Sequence, residues 1–325
     1  MPLLNVLRPM VPLDAAGEVL MPLHNAAGDG DVPTVRRLVA RGMDVNMQDA
    51  GGRRPLMFAA QRGRLAVVIT LLELGADKEV SDHDGARPLH TAAFRGHVAV
   101  VKTLVEAGAD KEAATATGAR PLHDAAQNGH VAVVITLVEL GADKEAKGVG
   151  GQRPLHLAAY LGHAEVVKTL VELGADKEAK GVGGARPLHG AAQQGHVAVV
   201  ITLVELGADI GALAEDGTTP LDISIINGQH HVERVLRGAM ALERSARTKK
   251  VAEAKEPTQQ AIEQAERMAA LMIEEEERDQ AQKKVRGCST LTLHRAPWHP
   301  VGWCVHRARV ERIMTCSGDV ARATG

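Results

Sequence analysis

The sequence predicts an all-α solenoid, a stack of helix-turn-helix units each closed by a hairpin loop. Pro-Leu pairs begin at Pro22, Pro55, Pro88, Pro121, Pro154, Pro187 and Pro220, each 33 residues after the last with no insertion. A fixed period of that length marks stacked supersecondary units, none of which can bury its apolar face alone. Aromatic residues make up only 2% of the 325, and Phe58, Phe94 and Tyr160 are the only ones before residue 298. A single globular core of this size uses more large rings, whereas thin layers of Ala, Val and Leu can do without them. The third observation is the pattern inside one unit, RPLHTAAFRGHVAVVKTLVEAGADKEA from Arg87 to Ala113, which reads as two short helices.

Proline at the first helical position presets φ and gives up an amide that would be orphaned anyway, so a first helix is expected over Leu89–Arg95. Its Ala92-Ala93 pair lets a neighbouring helix approach closely. Gly96 ends it, as Gly63, Gly129, Gly162 and Gly195 do elsewhere, by taking a left-handed conformation free of a Cβ penalty. The second helix is expected from His97 to about Ala107, buried through Val98, Val100, Val101, Leu104 and Val105, and stopped by Gly108. Neither helix is long enough to stand alone. The end units depart from the pattern. Pro33 opens the second helix of unit one, and unit seven has Asp222 for histidine and Ser224-Ile225 for the alanine pair. Both are read as caps with a more polar outer face.

Five of the seven units read Pro-Leu-His, followed in most by x-A-A-x-x-G-H-x-x-V-V and L-x-x-G-A-D. This resembles the ankyrin repeat family, whose motif has the same period and the T-P-L-H-x-A-A and G-A-D elements. The resemblance covers about two thirds of the chain. It implies a solenoid over 20–239, with units starting near Leu20, Arg53, Ala86, Ala119, Gln152, Ala185 and Thr218, behind a lead-in at 1–19. It also implies binding of other proteins through hairpin tips, first-helix surfaces and the groove between them. Mapped onto this chain, those positions are Arg53, Gln61, Arg62, His83, Asp84, Phe94, Arg95, Gln127, Asn128, Gln152, Tyr160, Leu161, Gln193 and Gln194. Phe94, Arg95 and Tyr160 are the expected anchors, because aromatics and arginine dominate interface energetics. A scaffold or adaptor is the expected function, and the alternative is a regulatory or targeting subunit, such as a ubiquitin-ligase adaptor or transcription-associated regulator. In the family the motif histidine bridges backbone groups of neighbouring units, a role that falls here to His24, His90, His123, His156 and His189.

Several departures individualise the array. The family's threonine before proline becomes Arg54, Arg87, Arg120, Arg153 and Arg186, and only Thr219 keeps it. Arginine is a poor N-cap, so each exchange costs about 0.5–2 kcal/mol unless another group satisfies the helix start. The row either pairs with the equally periodic Glu79, Glu112, Glu145 and Glu178 or forms a docking strip for an acidic partner. The hairpin aspartate, present at Asp49 and Asp82, becomes Thr115, Gly148, Gly181 and Ala214, so the tips KGVGGQ and KGVGGA are expected to be more flexible. The residue after Val-Val alternates Ile69, Lys102, Ile135, Lys168, Ile201, a period of 66 that points to duplication of a two-unit block. It lies opposite the buried valines, so the isoleucines should be partly exposed.

Catalytic chemistry is not in evidence. The motif histidines and the set His97, His130, His163 and His196 recur once per layer and cannot converge on a metal. The GVGG runs precede no Gly-Lys-Ser/Thr turn and are hairpin rather than phosphate loop. No enzyme activity, cofactor or metal is expected. With 38 basic and 40 acidic residues the net charge is −2, which points to neither nucleic acid nor anionic membrane. No apolar run approaches membrane-spanning length, and the N-terminus, without a basic start and broken by Pro9 and Pro12, is a poor signal peptide. With cysteine absent before Cys288, the expectation is a cytoplasmic or nuclear, not secreted, protein.

From Met240 the composition shifts to Ala, Glu, Lys, Arg and Gln, and 240–287 reads as a charged helical segment. Its helix is expected to start at Pro257-Thr258 and run to about Lys283, with Ile262, Ala265, Ala269, Met272 and Ile273 on one stripe. A solvated single helix is expected, with a monomeric chain; weak self-association through 258–283 or a short partner-binding helix is the alternative. Residues 288–325 read as a disordered tail. Cys288, His294, His299, Cys304, His306 and Cys316 could offer zinc ligands there, but their spacing matches no familiar finger.

Overall fold

The structure is a computed structural model and describes residues 21–287. The lead-in and the tail with its cysteine and histidine candidates lie outside the described residues. The first helices of the seven units are α1 (Pro22–Asp29), α3 (Pro55–Gln61), α5 (Pro88–Arg95), α7 (Pro121–Gln127), α9 (Pro154–Leu161), α11 (Pro187–Gln194) and α13 (Pro220–Ile226). The second helices are α2 (Val32–Ala40), α4 (Leu65–Glu73), α6 (Val98–Glu106), α8 (Val131–Glu139), α10 (Ala164–Glu172), α12 (Val197–Glu205) and α14 (His230–Gly287). No strand occurs among the described residues. First helices pack on first helices of adjacent units, and in units one to six second helices pack on second and each pair packs internally, which makes two helical layers.

The core lies between those layers and repeats with the sequence. Leu89, Ala92, Ala93, Val100, Val101 and Leu104 of unit three are buried, and so are their counterparts in units four to six. The alanine pair therefore does what its size allows, letting first helices stack without a side chain between them. Each first helix ends at a left-handed glycine (Gly30, Gly63, Gly96, Gly129, Gly162, Gly195, Gly228), and each second helix of units one to six ends at another.

The exception explains a difference from expectation. The helix predicted to start at Pro257 does not start there, because α14 begins at His230 and passes through Pro257. Its register gives the reason. Gly42, Gly75, Gly108, Gly141, Gly174 and Gly207 stop the preceding second helices with φ between 74° and 90°, whereas the next residue at that phase is Met240. Without the glycine stop, the seventh second helix runs on into the Ala/Glu/Lys/Arg segment.

The chain divides into two compact units between Lys249 and Lys250. In the second, residues 262–283 are exposed along the helix, including the predicted stripe. Among the described residues no helix is both long and apolar enough to cross a membrane.

Unit seven is not the polar cap its position suggests. Ser224 is buried and donates to the Leu221 carbonyl at 2.7 Å, but Ile225 and Ile226 remain 46% and 73% exposed. At the same phase in unit six, Ala192 is buried.

Candidate binding surface

Two histidines in each of units three to six hold the array in register. In units three to six the first one, at the third residue of the first helix, uses both ring nitrogens. His90 Nδ1 accepts the Arg87 backbone N–H at 3.2 Å, and its Nε2–H donates to the Ala119 carbonyl of the next unit at 3.3 Å. His123, His156 and His189 repeat the first bond, with Nδ1 accepting from Arg120, Arg153 and Arg186. Nε2–H of His123 and His189 donates to Gln152 O and Thr218 O of the next unit, and that of His156 to Ala179 O of its own. An accepting Nδ1 and a donating Nε2 require the neutral ring. Burial accordingly holds His90, His123, His156 and His189 below the usual histidine pKa. The same nitrogen supplies one half of a capping box, while no arginine side chain accepts from the first N–H groups of the helix. The arginine backbone N–H finds its partner at the third helical residue, as in a capping box whose return half is histidine. Unit seven has the ordinary box, Thr219 Oγ1 accepting from Asp222 N at 3.1 Å and Asp222 accepting from Thr219 N at 3.0 Å.

The arginine row is internally paired. Arg87 and Arg120 form ion pairs with Glu79 and Glu112, and Arg153 and Arg186 reach Glu145 and Glu178 at 2.9 and 2.6 Å. The other oxygen of each glutamate accepts the backbone N–H of Asp110, Asp143, Asp176 or Asp209 in the next unit, at 2.8–2.9 Å. These arginine side chains are only 19–29% exposed. The row is thus part of the inter-unit seam and not a free basic strip. Arg54 differs, because Asn46 stands at the glutamate phase and Arg54 Nε donates to the Asn46 carbonyl at 3.1 Å.

The hairpins keep one backbone bond whatever residue opens them. Asp49 N donates to Arg53 O at 2.9 Å, and Gly148 N and Gly181 N make the same bond to Gln152 O and Ala185 O at 2.8 Å. The later tips lack only the side-chain brace, in which Asp49 Oδ1 accepts from Gly51 N and Arg53 N. In the helix-two alternation, Ile69 and Ile201 are 41% and 39% exposed, and Ile135 is half-buried.

The sequence-selected binding residues fall into two groups. On the hairpins, Arg53 pairs with Asp49 at 2.8 Å and lies over the Phe58 ring at 4.9 Å. His83 donates its backbone N–H to Gly51 O, exposed Asp84 accepts Ala116 N, and the Gln152 carbonyl accepts from His123. On the first helices, Gln61, Phe94, Gln127, Tyr160 and Gln193 share one phase, and Arg62, Arg95, Asn128, Leu161 and Gln194 the next. Phe94, Tyr160 and Leu161 are 41–42% exposed, with Arg95 over the Phe94 ring at 5.5 Å. Arg62 reaches Asp29 at 3.5 Å, and Asn128 bonds the Asp124 carbonyl. The carbonyls of Gln61, Phe94, Gln127 and Tyr160 are occupied, each accepting Nε2–H of His97, His130, His163 or His196 at 2.9–3.0 Å.

A third row was missed. Asn25, Phe58, Thr91, Asp124, Leu157, Gly190 and Ile223 occupy the phase immediately after the motif histidine. Its members share no chemistry, and that variation within an otherwise repetitive unit is the signal that could have found it. Two of them matter. Burial pushes the Asp124 carboxyl up to about 7. Beside Gly190 a pocket of about 180 Å³ opens, which brings together Gln152, Tyr160 and Gln193 with Val182 and Ile223.

Comparisons with known proteins agree with this architecture. A family model for ankyrin repeats in three copies matches residues 74–148, 113–181 and 155–245, and one for many copies matches 23–72. Among solved structures, the chain is similar to the human ASB11 ankyrin repeat domain at 31% identity and a TM-score of 0.61. That match covers 68% of this chain and 98% of that one. No curated protein matches. The chain belongs to the ankyrin repeat family.

Proposed function

We propose that this chain is a protein-interaction scaffold or adaptor that binds partner proteins through its first-helix face and hairpin tips. Ankyrin repeats mediate protein–protein interactions, and one observation favours this face. Phe94, Tyr160 and Leu161 stay exposed on the first helices, while the leucines after each motif proline in units one to six are buried. Exposed aromatics beside arginine are the usual energetic centre of an interface. Arg53, Gln61, Arg62, His83, Asp84, Arg95, Gln127, Asn128, Gln152, Gln193 and Gln194 would form its surround. The absence of cysteine before Cys288 suits a cytoplasmic or nuclear setting. The test compares proteins captured by the full chain and by Phe94→Ala/Tyr160→Ala, with Ile69→Ala/Ile201→Ala on the second helices as control. Loss of partners with the first pair alone supports the reading, and equal capture by all three proteins overturns it.

A second reading rests on residues 262–283, where Ile262, Met268, Leu271, Met272 and Ile273 are all more than half exposed. A helix with that much apolar surface suits recruitment of a second factor, as in a regulatory or targeting subunit. Truncation at Lys249 that removes a subset of partners and leaves the rest would support it.

A further inference from the structure

Gly190 is a glycine that its surroundings do not demand. It lies inside α11, has no positive φ, and a Cβ built on it would meet Tyr160 Cβ at 3.6 Å, an ordinary contact. Glycine within a helix costs about 1 kcal/mol relative to alanine, so neither backbone geometry nor crowding explains it. What it leaves is the pocket of about 180 Å³ walled by Tyr160, Val182 and Ile223, with Gln152 and Gln193 among its lining residues. Cofactor and small-ligand sites run to roughly 300–1,000 Å³, so this one fits a single large side chain.

Two units earlier at the same phase stands Asp124. Among the described residues no hydrogen bond or ion pair reaches its carboxylate, although the group is half-buried. Asp124 and Phe94 stand in the same phase relation as Gly190 and Tyr160. Burial of an unpaired carboxylate is unfavourable, and an incoming cation would relieve it. First helices of adjacent units pack about 8–10 Å apart, so Asp124 and Gly190 are separated by roughly 16–20 Å. An extended chain covers that distance in about five or six residues at roughly 3.3 Å each.

We propose that the groove binds an extended segment of a partner protein that carries a bulky apolar side chain and, about five or six residues away, a lysine or arginine. The apolar side chain fills the Gly190 pocket, and the cation meets Asp124 against the Phe94 ring. This rests on the first-helix face being the binding face and adds the chemistry of the occupant.

The test uses the full chain and synthetic peptides of about a dozen residues, each with one Arg and one Leu in an Ala/Ser background, spaced from about three to eight positions. Fluorescence anisotropy should show tightest binding at a spacing of about five or six. Gly190→Leu, which fills the pocket, and Asp124→Asn, which removes the charge, should each weaken that peptide by about tenfold or more. Gly190→Ala, whose methyl makes only ordinary contacts, should fall between wild type and Gly190→Leu and guards against a folding artefact. Affinity independent of spacing, no binding by any peptide, or unchanged binding to Gly190→Leu would overturn the proposal. If captured partners depend on Phe94 and Tyr160 but not on Gly190 or Asp124, the binding face stands and this account of its occupant falls.

Discussion

The imidazole of His130 lies against Gly96 of the preceding unit and donates its Nε2–H to the carbonyl of Phe94 at 2.9 Å. One residue thereby caps a helix C-terminus and fixes the spacing between units. A Cβ at Gly96 would stand 2.7 Å from His130 Nδ1. Gly75, equally left-handed at φ 85°, would meet nothing within 4 Å. Gly96→Ala should therefore cost more than Gly75→Ala. Both carry the left-handed penalty of about 1–2 kcal/mol, and only the first must also displace a ring from the seam. Urea melts of the two variants check this, and equal midpoints would show that the histidine seam bears no load.

The sequence made the array legible because each unit repeats the same solution. Proline at the helix start, the alanine pair and the two glycine stops are local signals that tertiary packing does not override. Even the arginine–glutamate pairing could be read from matched periods. The second histidine set could not, since its partner is a main-chain carbonyl 36 residues earlier and backbone acceptors leave no mark in a sequence. The continuation of α14 was hidden differently. It depends on a missing glycine at Met240, an absence, whereas Pro257 is a positive signal for a helix start. Gly190 was hidden because a pocket is made by the absence of a side chain, and Asp124 because one acid among 40 carries no sequence mark of its burial.

Acid should destabilise the array. In the folded chain burial lowers the pKa of His24, His90, His123, His156 and His189 below that of the unfolded chain. As pH falls through about 6.5 the unfolded state takes up protons before the folded state does. Stability present above that value is therefore lost below it, at up to about 1.4 kcal/mol per group for each unit of pKa depression. The urea midpoint should drop clearly between about pH 7.5 and pH 5.5. A midpoint that stays level or rises on acidification contradicts the neutral-ring assignment.

Asp124 works in the opposite direction. Its folded pKa is raised to about 7, so the folded state holds a proton that the unfolded carboxyl releases near 4. The cost of the bare carboxylate grows as pH rises through that window and is complete above about pH 7. Asn mimics the neutral acid in size and shape. Asp124→Asn should therefore stabilise the chain by on the order of 1–3 kcal/mol near pH 8 and by little near pH 4, as denaturation at the two pH values would report. Equal effects at both would mean that the carboxylate is solvated rather than buried.

Unit two offers a gain-of-stability test of the seam. Glu79, Glu112, Glu145 and Glu178 each bind an arginine with one carboxylate oxygen and the next unit's backbone N–H with the other. At the equivalent phase Asn46 accepts Asp77 N at 2.9 Å through its side chain, but it offers Arg54 only a neutral carbonyl. Asn46→Glu keeps the amide acceptor and adds the charge. Because Arg54 is half-buried, the new pair should exceed a fully exposed one, and a gain of about 0.5–1 kcal/mol is expected, shrinking in high salt. A double-mutant cycle with Arg54→Ala isolates the pair. Coupling near zero would assign the glutamates' contribution to the backbone N–H alone and leave the arginine row without a share in holding the units together.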